Sequence, residues 1–413
     1  MLKKPYKDVS EVFNFFPLLY GNCVAGQKER YETAFEKFKA YFGETESFIA
    51  SSSGRVEMLG NHTDHNGGMV ACCAISLDTL GFFLPTCDDI ITIKSEGYPD
   101  VSIDLTDGKK GEKGTSEALV RGVGFALNER GYKTGGFKAY FTSNVAGGAG
   151  ISSSASYEVL VAEIFNVLYN DGKIDAKTKA IVSRFAENEY FGKPCGLLDQ
   201  SAIAYGGLKM LDFSVKGDII VSDIDCKIND FTLVLVNTGG SHADLTDEYA
   251  AVPAEMFKVA AEFNEERLID VGEDRFYAEL HKLYNKLPDR AILRAVHFFA
   301  ENKRVKDVAE SLNKGDFEGF ICGVNQSGLS SMNYLQNCYV ANREERLIPK
   351  ALAMASKFNP NGACRVHGGG FAGCVLCVVK NDHLDSFIEK MRSLYSDDSI
   401  LKLSIRRVGA IVL

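Results

Sequence analysis

The sequence lacks the features that mark two large functional classes. It has no basic stripe, its formal net charge is −9 and its isoelectric point is about 5.4, whereas nucleic-acid-binding domains usually present clustered lysine and arginine. It also has no run approaching the roughly 18 apolar residues that a membrane-spanning helix needs, because even the apolar run at 374–379 ends at Lys380. The sequence therefore predicts no nucleic-acid partner and no membrane partner.

The first residues and the cysteines indicate the cellular compartment in which the protein is expected. Residues 1–5 include two lysines, but mixed polar and apolar residues follow them instead of the apolar core of a signal peptide. The eleven cysteines are odd in number and scattered, which is typical of reduced thiols used as small hydrophobic side chains. We therefore expect a cytoplasmic protein. The sequence does not fix the oligomeric state, and we expect a monomer.

The chain has the composition of an ordinary globular protein with more than one core. It contains 413 residues, of which 46% are hydrophobic and 24% charged, enough for two domains. Helical and extended periodicities are mixed along it, which predicts an α+β protein divided near residue 206 into domains 1–205 and 206–413. We expect helices at 27–42, 117–128, 152–168 and 176–190, and strands at 48–60, 70–75, 90–94, 137–141 and 231–236.

A turn rich in glycine and serine at 144–155 has the composition of a phosphate-binding loop. Three glycines, Gly147, Gly148 and Gly150, precede the serines at 152–154, where a helix is expected to begin. Glycines let backbone N–H groups approach an anion, and a helix N-terminus adds unpaired donors and the positive end of its dipole. A serine-capped helix without a ligand is the alternative at this point.

Two other nucleotide-binding motifs do not account for this chain. The G-x-x-x-x-G-K-S/T loop occurs nowhere in the sequence, which excludes a P-loop enzyme. The segment Gly368–Gly373 matches G-x-G-x-x-G, but its glycines precede a predicted strand instead of joining a strand to a helix. The Rossmann interpretation therefore fails.

A second polar cluster runs from Gly54 to Gly68 and reads G-R-V-E-M-L-G-N-H-T-D-H-N-G-G. Carboxylates, amides and imidazoles held in fixed directions can bind the neighbouring hydroxyls of a sugar ring. A plain polar turn would also explain the composition. The cluster favours a sugar-binding surface.

With these residues identified, the sequence resembles the GHMP kinases. Gly54–Gly68 is similar to the galactokinase signature of that family, and Gly148–Ala155 is similar to its phosphate motif. The segment 195–200, C-G-L-L-D-Q, resembles the turn that holds the catalytic aspartate, and 367–374 resembles the third, glycine-rich motif. The four segments stand in the family order and span most of the chain, which is far more specific than one motif.

The resemblance implies both a fold and an activity. The fold would be the two-domain α+β GHMP kinase fold, with a left-handed βαβ feature in the N-terminal domain, a ferredoxin-like C-terminal domain and the active site in the cleft between them. The activity would be that of a galactokinase, which uses ATP and Mg²⁺ to phosphorylate the C1 hydroxyl of galactose.

The resemblance also implies roles for particular residues. Asp199 would take the proton from the C1 hydroxyl as general base, and Arg55 would keep that aspartate ionised while stabilising the transferring phosphoryl group. Ser154 and Glu187 would bind Mg²⁺. The nucleotide would contact Ser95 and the loop residues Gly148, Ala149, Gly150, Ile151, Ser152, Ser153 and Ser154. The sugar would contact Asn61, His62, Thr63, Asp64 and Tyr249.

Some positions depart from the family pattern and leave alternatives open. Asn61 stands where galactokinases carry a glutamate that reads the C6 hydroxyl, and Glu57 stands where they carry asparagine. One alternative is that the two changes compensate each other by swapping amide and acid within one turn. His65 replaces a tyrosine, Ala372 replaces a glycine, and the arginines expected after Tyr249 are absent. The alternatives are a 1-kinase for a sugar altered at C6, such as galacturonate, and a non-catalytic sensor of galactose and ATP. A kinase for mevalonate or homoserine is disfavoured by the H-T-D sugar signature.

Overall fold

The computed structural model describes residues 4–145, 147, 150–240 and 245–413. Its strands are β1 (Phe48–Leu59), β2 (Met69–Pro85), β3 (Ile90–Ser95), β4 (Val101–Asp104), β5 (Phe137–Ser143), β6 (Leu208–Asp212), β7 (Ile220–Asp223), β8 (Phe231–Asn237), β9 (Ala363–Val366), β10 (Cys374–Lys380), β11 (Ile400–Leu403) and β12 (Ile411–Val412).

Its α-helices are α1 (Phe16–Tyr20), α2 (Gln27–Phe42), α3 (Ser116–Asn128), α4 (Ser153–Tyr169), α5 (Ala176–Phe185), α6 (Leu198–Tyr205), α7 (Thr246–Glu262), α8 (Leu268–Val271), α9 (Glu273–Glu279), α10 (Asp289–Lys314), α11 (Phe317–Ser330), α12 (Leu347–Phe358) and α13 (Leu384–Arg392). A π-helical segment, Ala186–Phe191, continues α5. In the described part of the chain, no helix combines the length and apolarity needed to cross a membrane.

The larger sheet has the strand order β12-β1-β2-β5-β3-β4, and β6 joins it beside β2 and carries β7 at its other edge. Its pairs are antiparallel except β3 with β5. Helices α3, α4 and α5 form one apolar core with this sheet, and helices α1 and α2 form a second apolar core with it. The sheet therefore takes strands from both sides of residue 206, and the predicted division of the chain at that residue stays a prediction.

The smaller sheet has the order β11-β8-β10-β9, and its pairs are all antiparallel. One apolar core lies between it and the larger sheet, with Val56 of β1 and Leu376 of β10 among its buried residues. Another core lies between this sheet and helices α12 and α13. This shared core packs the two sheets together. The end of β1 and the turn before β10 meet at the edge of the core, and both carry polar residues.

Strand β1 carries the first part of the site. Every residue of β1 is buried, and residues at alternate positions share a face of a strand, so Arg55 and Glu57 project in the same direction. Its pairing with β2 shifts register between Ser53 and Arg55 and again between Glu57 and Leu59. Such bulges bend a strand and change where its side chains point, here at the end that enters the site.

The predicted elements agree with the structure except at some boundaries. The helix predicted at 27–42 has those bounds, and the mixed α+β class is confirmed. The strand predicted at 70–75 runs on to Pro85 because its apolar pattern continues while it changes partner from β6 to β5. The pairing of β12 with β1 was not predicted, since two residues are too few to give a periodicity.

Candidate active site

The sequence segments at 54–68, 195–200 and 367–374 converge on one small cavity. Its volume is about 150 Å³, which suits a single sugar ring better than an extended ligand. A larger cavity of about 450 Å³ adjoins the start of α4. The small cavity is lined by Arg55, Glu57, Asn61, His62, Asp64, His65, Cys195, Gly196, Leu198, Asp199, Gly368 and Gly369.

Asp199 lies in the first turn of α6 and forms an ion pair with Arg55. The Nε and Nη2 atoms of Arg55 each lie 2.7 Å from Oδ1 of Asp199, and the Ser152 hydroxyl donates to Oδ2. Burial by itself would raise the pKa of this carboxyl group. The Arg55 charge, the hydrogen bonds from Ser152 and Arg55 and the charge of Lys193 outweigh burial and lower the pKa below its ordinary value. Asp199 is therefore ionised at neutral pH.

The glycine- and serine-rich turn is fastened to the same aspartate. Ser152 has a left-handed backbone with φ of 65°, which costs about 1 kcal/mol or more for a residue with a side chain, and its hydroxyl does not cap α4. The Ile151 carbonyl accepts from the Arg55 backbone N–H at 3.1 Å. The Gly150 carbonyl accepts from the Arg55 guanidinium and from Nε2 of His367, the latter at 3.1 Å.

The turn at 150–152 therefore does more than begin α4, because it makes hydrogen bonds to Asp199 and Arg55. Of the residues predicted to bind nucleotide, Gly148 and Ala149 lie outside the described part of the chain. The side chain of Ile151 is buried in the core shared by the two sheets, so only its backbone faces the loop.

The larger cavity brings together the other predicted nucleotide residues. Ser95, Ser153 and Ser154 line it. The Ser95 Oγ and Tyr157 Oη atoms are buried, and the described residues offer neither of them a hydrogen-bond partner. Buried polar atoms are normally satisfied, so these hydroxyls are available to a polar ligand in this cavity.

Ser154 lines this cavity and Glu187 lies beside Ser154, and their role as cation ligands stays a prediction. The Ser154 hydroxyl donates to Oε1 of Glu187 at 2.8 Å. Lys193 Nζ lies 3.0 Å from the same oxygen, and Gln200 Nε2 donates to Oε2 at 2.7 Å. Glu158 lies behind Gln200, and burial followed by the charge of Glu187 raises its pKa well above the ordinary value. Hydroxyl and carboxylate oxygens are the ligand types that Mg²⁺ prefers, and a cation, Lys193, already occupies the position beside Glu187.

The polar turn after β1 supplies the opposite wall of the small cavity. His62 has φ of 60°, and its Nε2 atom lies 2.9 Å from the Gly369 carbonyl. Burial lowers the pKa of His62 to about 4, so the ring is neutral and Nε2–H donates to that carbonyl. The Thr63 hydroxyl bonds to the carbonyls of Gly60 and Met69, which holds the turn, and the predicted contact of Thr63 with a sugar stays a prediction.

Tyr249 approaches the site from behind the third glycine-rich segment. Its hydroxyl donates to the Gly370 carbonyl at 2.7 Å, and its ring packs edge-on against Phe371 with the centroids 5.3 Å apart. The ring stands so close to Gly369 that a Cβ there would lie 2.5 Å from it. Tyr249 therefore supports the segment that lines the cavity, and its predicted contact with a sugar stays a prediction.

Comparisons with known proteins identify the family of this chain. Residues 36–84 match the model of the galactokinase galactose-binding signature, and residues 118–207 match the model of the GHMP kinase N-terminal domain. The chain is 30% identical to a galactokinase of Clostridium tetani over 365 residues, which cover 87% of this chain and 91% of the relative.

The chain belongs to the galactokinase family of GHMP kinases.

Solved structures agree on the fold. The structure of Lactococcus lactis galactokinase complexed with galactose superposes with a TM-score of 0.80 at 24% identity, covering 93% of this chain and all of that one (100%). A phosphomevalonate kinase of Streptococcus pneumoniae in complex with phosphomevalonate and AMPPNP gives a TM-score of 0.59 at 12% identity, covering 88% and 99%. The predicted GHMP kinase fold is confirmed.

Some residues of this galactokinase-family site were not predicted from the sequence. Glu57 and Gly196 line the small cavity, and Tyr98, Tyr157 and Phe191 line the larger one. Alternate residues of a strand share a face, so the position of Glu57 two residues after Arg55 could have predicted that it lies in the site. The position of Gly196 close to Asp199 in sequence could have predicted the same for Gly196. Tyr98, Tyr157 and Phe191 come from separate elements, and no local pattern links them.

Proposed function

We propose that this galactokinase-family chain transfers the terminal phosphoryl group of ATP to the C1 hydroxyl of galactose, giving galactose 1-phosphate. One observation carries the proposal most strongly. Asp199 lines the small cavity and is hydrogen-bonded to Ser152, which immediately precedes Ser153 and Ser154 of the larger cavity. A carboxylate at that junction is in position to contact an acceptor hydroxyl facing a bound triphosphate.

In this proposal Asp199 accepts a hydrogen bond from the acceptor hydroxyl and takes its proton as the new P–O bond forms. A carboxylate with a lowered pKa is a weak base, so the proton moves late, once bonding to phosphorus has made the hydroxyl acidic. Arg55 holds the aspartate ionised through two 2.7 Å contacts and places positive charge near the transferring group. His62, Gly368 and Gly369 line the small cavity and would keep the sugar oriented toward Asp199.

The donor set fits a divalent cation, and we propose that Ser154 and Glu187 hold Mg²⁺. When bound, the ion would neutralise charge on the β- and γ-phosphates. Ser154 and Glu187 are already oriented toward one another at 2.8 Å, and Gln200 fixes the second oxygen of Glu187. Lys193 Nζ lies 3.0 Å from the same Glu187 oxygen that faces Ser154, so a bound cation would share that carboxylate with the Lys193 charge.

The enzyme interpretation is favoured over a sugar sensor because the groups needed for phosphoryl transfer occur together. Asp199, Arg55, Ser154 and Glu187 are present and oriented, and the serine-alanine step at 154–155 is intact. We also propose, from the scattered cysteines, that the protein acts in the cytoplasm, and the expected monomer stays a prediction.

The test is a coupled assay of ADP release with Mg-ATP and a panel of galactose, galacturonate, arabinose, galactosamine and glucose. We expect turnover on galactose well above the others. Asp199→Ala should lose about a hundredfold to ten-thousandfold in kcat while binding galactose by calorimetry, because the cavity is otherwise intact. Turnover of Asp199→Ala close to wild type would exclude Asp199 as the base, and no turnover on any sugar would favour the sensor.

A further inference from the structure

The amide of Asn61 is already fully used by the protein. A primary amide has two N–H donors and an oxygen with two lone pairs. Nδ2 donates to the Gly368 carbonyl at 2.6 Å and to Oε1 of Glu57 at 3.3 Å. Oδ1 accepts from Asn337 Nδ2 at 2.7 Å and from the Ser331 hydroxyl at 3.3 Å. Asn61 therefore has no hydrogen-bonding capacity left for a ligand, and its amide ties the turn after β1 to the third glycine-rich segment.

Glu57, beside Asn61, has hydrogen-bonding capacity that the described residues leave unused. It lines the small cavity on the same face of β1 as Arg55, and only 6% of its surface is exposed. A carboxyl group offers about four acceptor sites, whereas the hydrogen bond given to Glu57 by the described residues is the long one from Asn61. Burying a carboxyl group with unused capacity is costly unless a ligand supplies the missing partner.

We propose that Glu57 determines acceptor specificity by binding a hydroxyl group of the sugar, and that Asn61 acts as the positioning residue that holds Glu57 and the 368–370 turn in place. This inference rests on the proposed function, because it concerns the acceptor site of that reaction. It assigns to Glu57 the contact with the sugar that the sequence predicted for Asn61.

The charge on Glu57 extends the proposal to the class of acceptor. Burial raises the pKa of Glu57 to about 7, against the lowering effect of Arg365 and Arg55, with Asp64 raising it further. The other titratable groups lining the cavity are His62, His65, Cys195 and Asp199. The carboxyl group therefore loses its proton as the pH rises through neutrality. A neutral sugar is bound by both forms, whereas a uronate carboxylate near Glu57 is repelled once Glu57 is ionised.

The hydroxyl contact is tested by a cycle that combines Glu57→Ala with galactose analogues lacking the 2-, 3-, 4- or 6-hydroxyl. In the wild-type protein, loss of the contacted hydroxyl should lower kcat/KM by roughly tenfold or more. In Glu57→Ala, the same analogue should lower kcat/KM by a factor at least several-fold smaller than in wild type. The other analogues should lower kcat/KM equally in both proteins. Equal costs at every position would overturn the proposal. Glu163→Gln, which removes a buried carboxylate paired with Lys179 far from the cavity, is the matched control and should behave like wild type.

The charge is tested with Glu57→Gln, which keeps the shape and a polar head group but carries no charge. The ratio of galacturonate to galactose activity in wild type should fall about tenfold between pH 6 and pH 8, as Glu57 ionises. The ratio in Glu57→Gln should stay flat and exceed the wild-type ratio at pH 8. Parallel profiles in the two proteins would overturn the charge argument, and this variant serves if Glu57→Ala does not fold.

Failure of this inference is distinguishable from failure of the proposed function. Binding of each sugar is measured by calorimetry without ATP alongside turnover. A wild-type protein that binds galactose without phosphorylating it refutes the proposed kinase activity, and the cycle on binding constants still decides the role of Glu57.

Discussion

At the residue scale, the balance between burial and charge decides how Asp199 works. Burial raises the pKa of a carboxyl group because it disfavours the charged form, and a guanidinium at contact distance lowers it. Arg55 provides that charge from β1, and Ser152 adds a hydrogen bond from the strained turn. Arg55 and Asp199 are far apart in sequence, but their ion pair makes the charge state of Asp199 depend on Arg55.

Replacing Arg55 by Gln should therefore move the pH dependence of the reaction. With the charge removed, burial dominates and the pKa of Asp199 rises. A base must be ionised, so activity falls as the pH drops through its pKa, and this loss should occur at higher pH in Arg55→Gln than in wild type. The measurement is the pH profile of kcat/KM for galactose. An acid limb at the wild-type position would contradict this account.

Ser152→Ala provides a graded comparison for that profile. It removes the hydrogen bond to Asp199 but keeps the Arg55 charge. Its acid limb should lie between those of wild type and Arg55→Gln, because Ser152 contributes after Arg55 to lowering the pKa.

At the element scale, the site depends on how closely turns approach one another. The segment that leads into α6 passes the carboxylate of Asp64 so closely that a Cβ on Gly196 would overlap Oδ2 of that residue. The backbone at 196 has no positive φ, so close approach and not backbone conformation requires glycine there.

Gly196→Ala should consequently displace Asp64 from the small cavity. We expect kcat/KM for galactose to fall about tenfold to a hundredfold, as small misplacements of binding groups do, while KM for ATP stays near wild type. Steady-state kinetics with each substrate varied in turn checks this. Gly124→Ala in α3 is the matched control, because its nearest neighbours would lie at 3.8 Å, an ordinary contact. A higher KM for ATP alone would contradict the expected displacement.

At the scale of the whole molecule, a buried polar network joins both ends of the chain to the larger sheet. Asp78 of β2 accepts from Arg30 of α2 at 2.6 Å and from the Tyr20 hydroxyl at 2.8 Å, and from the Ser51 hydroxyl. Arg406, close to the C-terminus, is fully buried and lies 3.6 Å from the same carboxylate. Burial would raise the pKa of Asp78, but the charges of Arg30 and Arg406 outweigh it and lower the pKa.

Asp78→Asn should lower the free energy of unfolding by about 3–5 kcal/mol, because it leaves buried arginines without their partner. In wild type the native pKa lies below the unfolded value, so this stabilisation is present above about pH 4 and is lost as the pH falls through the native pKa. Chemical denaturation of both proteins at neutral and acidic pH measures it. Asp307→Asn, in an exposed pair with Lys303, should change little. Equal stability of wild type and Asp78→Asn would contradict the role of the network.

The sequence by itself determined the fold family and the reaction class. It could do so because the four motifs are local: glycines set the turns, and Asp199, Arg55 and Ser154 occupy fixed places within them, while Glu187 lies between the second and third motifs. The roles predicted for these residues stay predictions. The helices and longer strands also follow from short-range periodicity, which is why the bounds of 27–42 were predicted correctly.

Only the tertiary structure decided how the remaining groups divide their hydrogen bonds. The sequence pattern pointed to Asn61 as the residue that reads the sugar, but its amide is used by Asn337, Ser331 and Gly368, which come from positions hundreds of residues away. Of the pair Asn61 and Glu57, the group with unused hydrogen-bonding capacity is Glu57. Satisfaction of a buried polar group is a property of all its neighbours in space, and no local pattern of residues contains it.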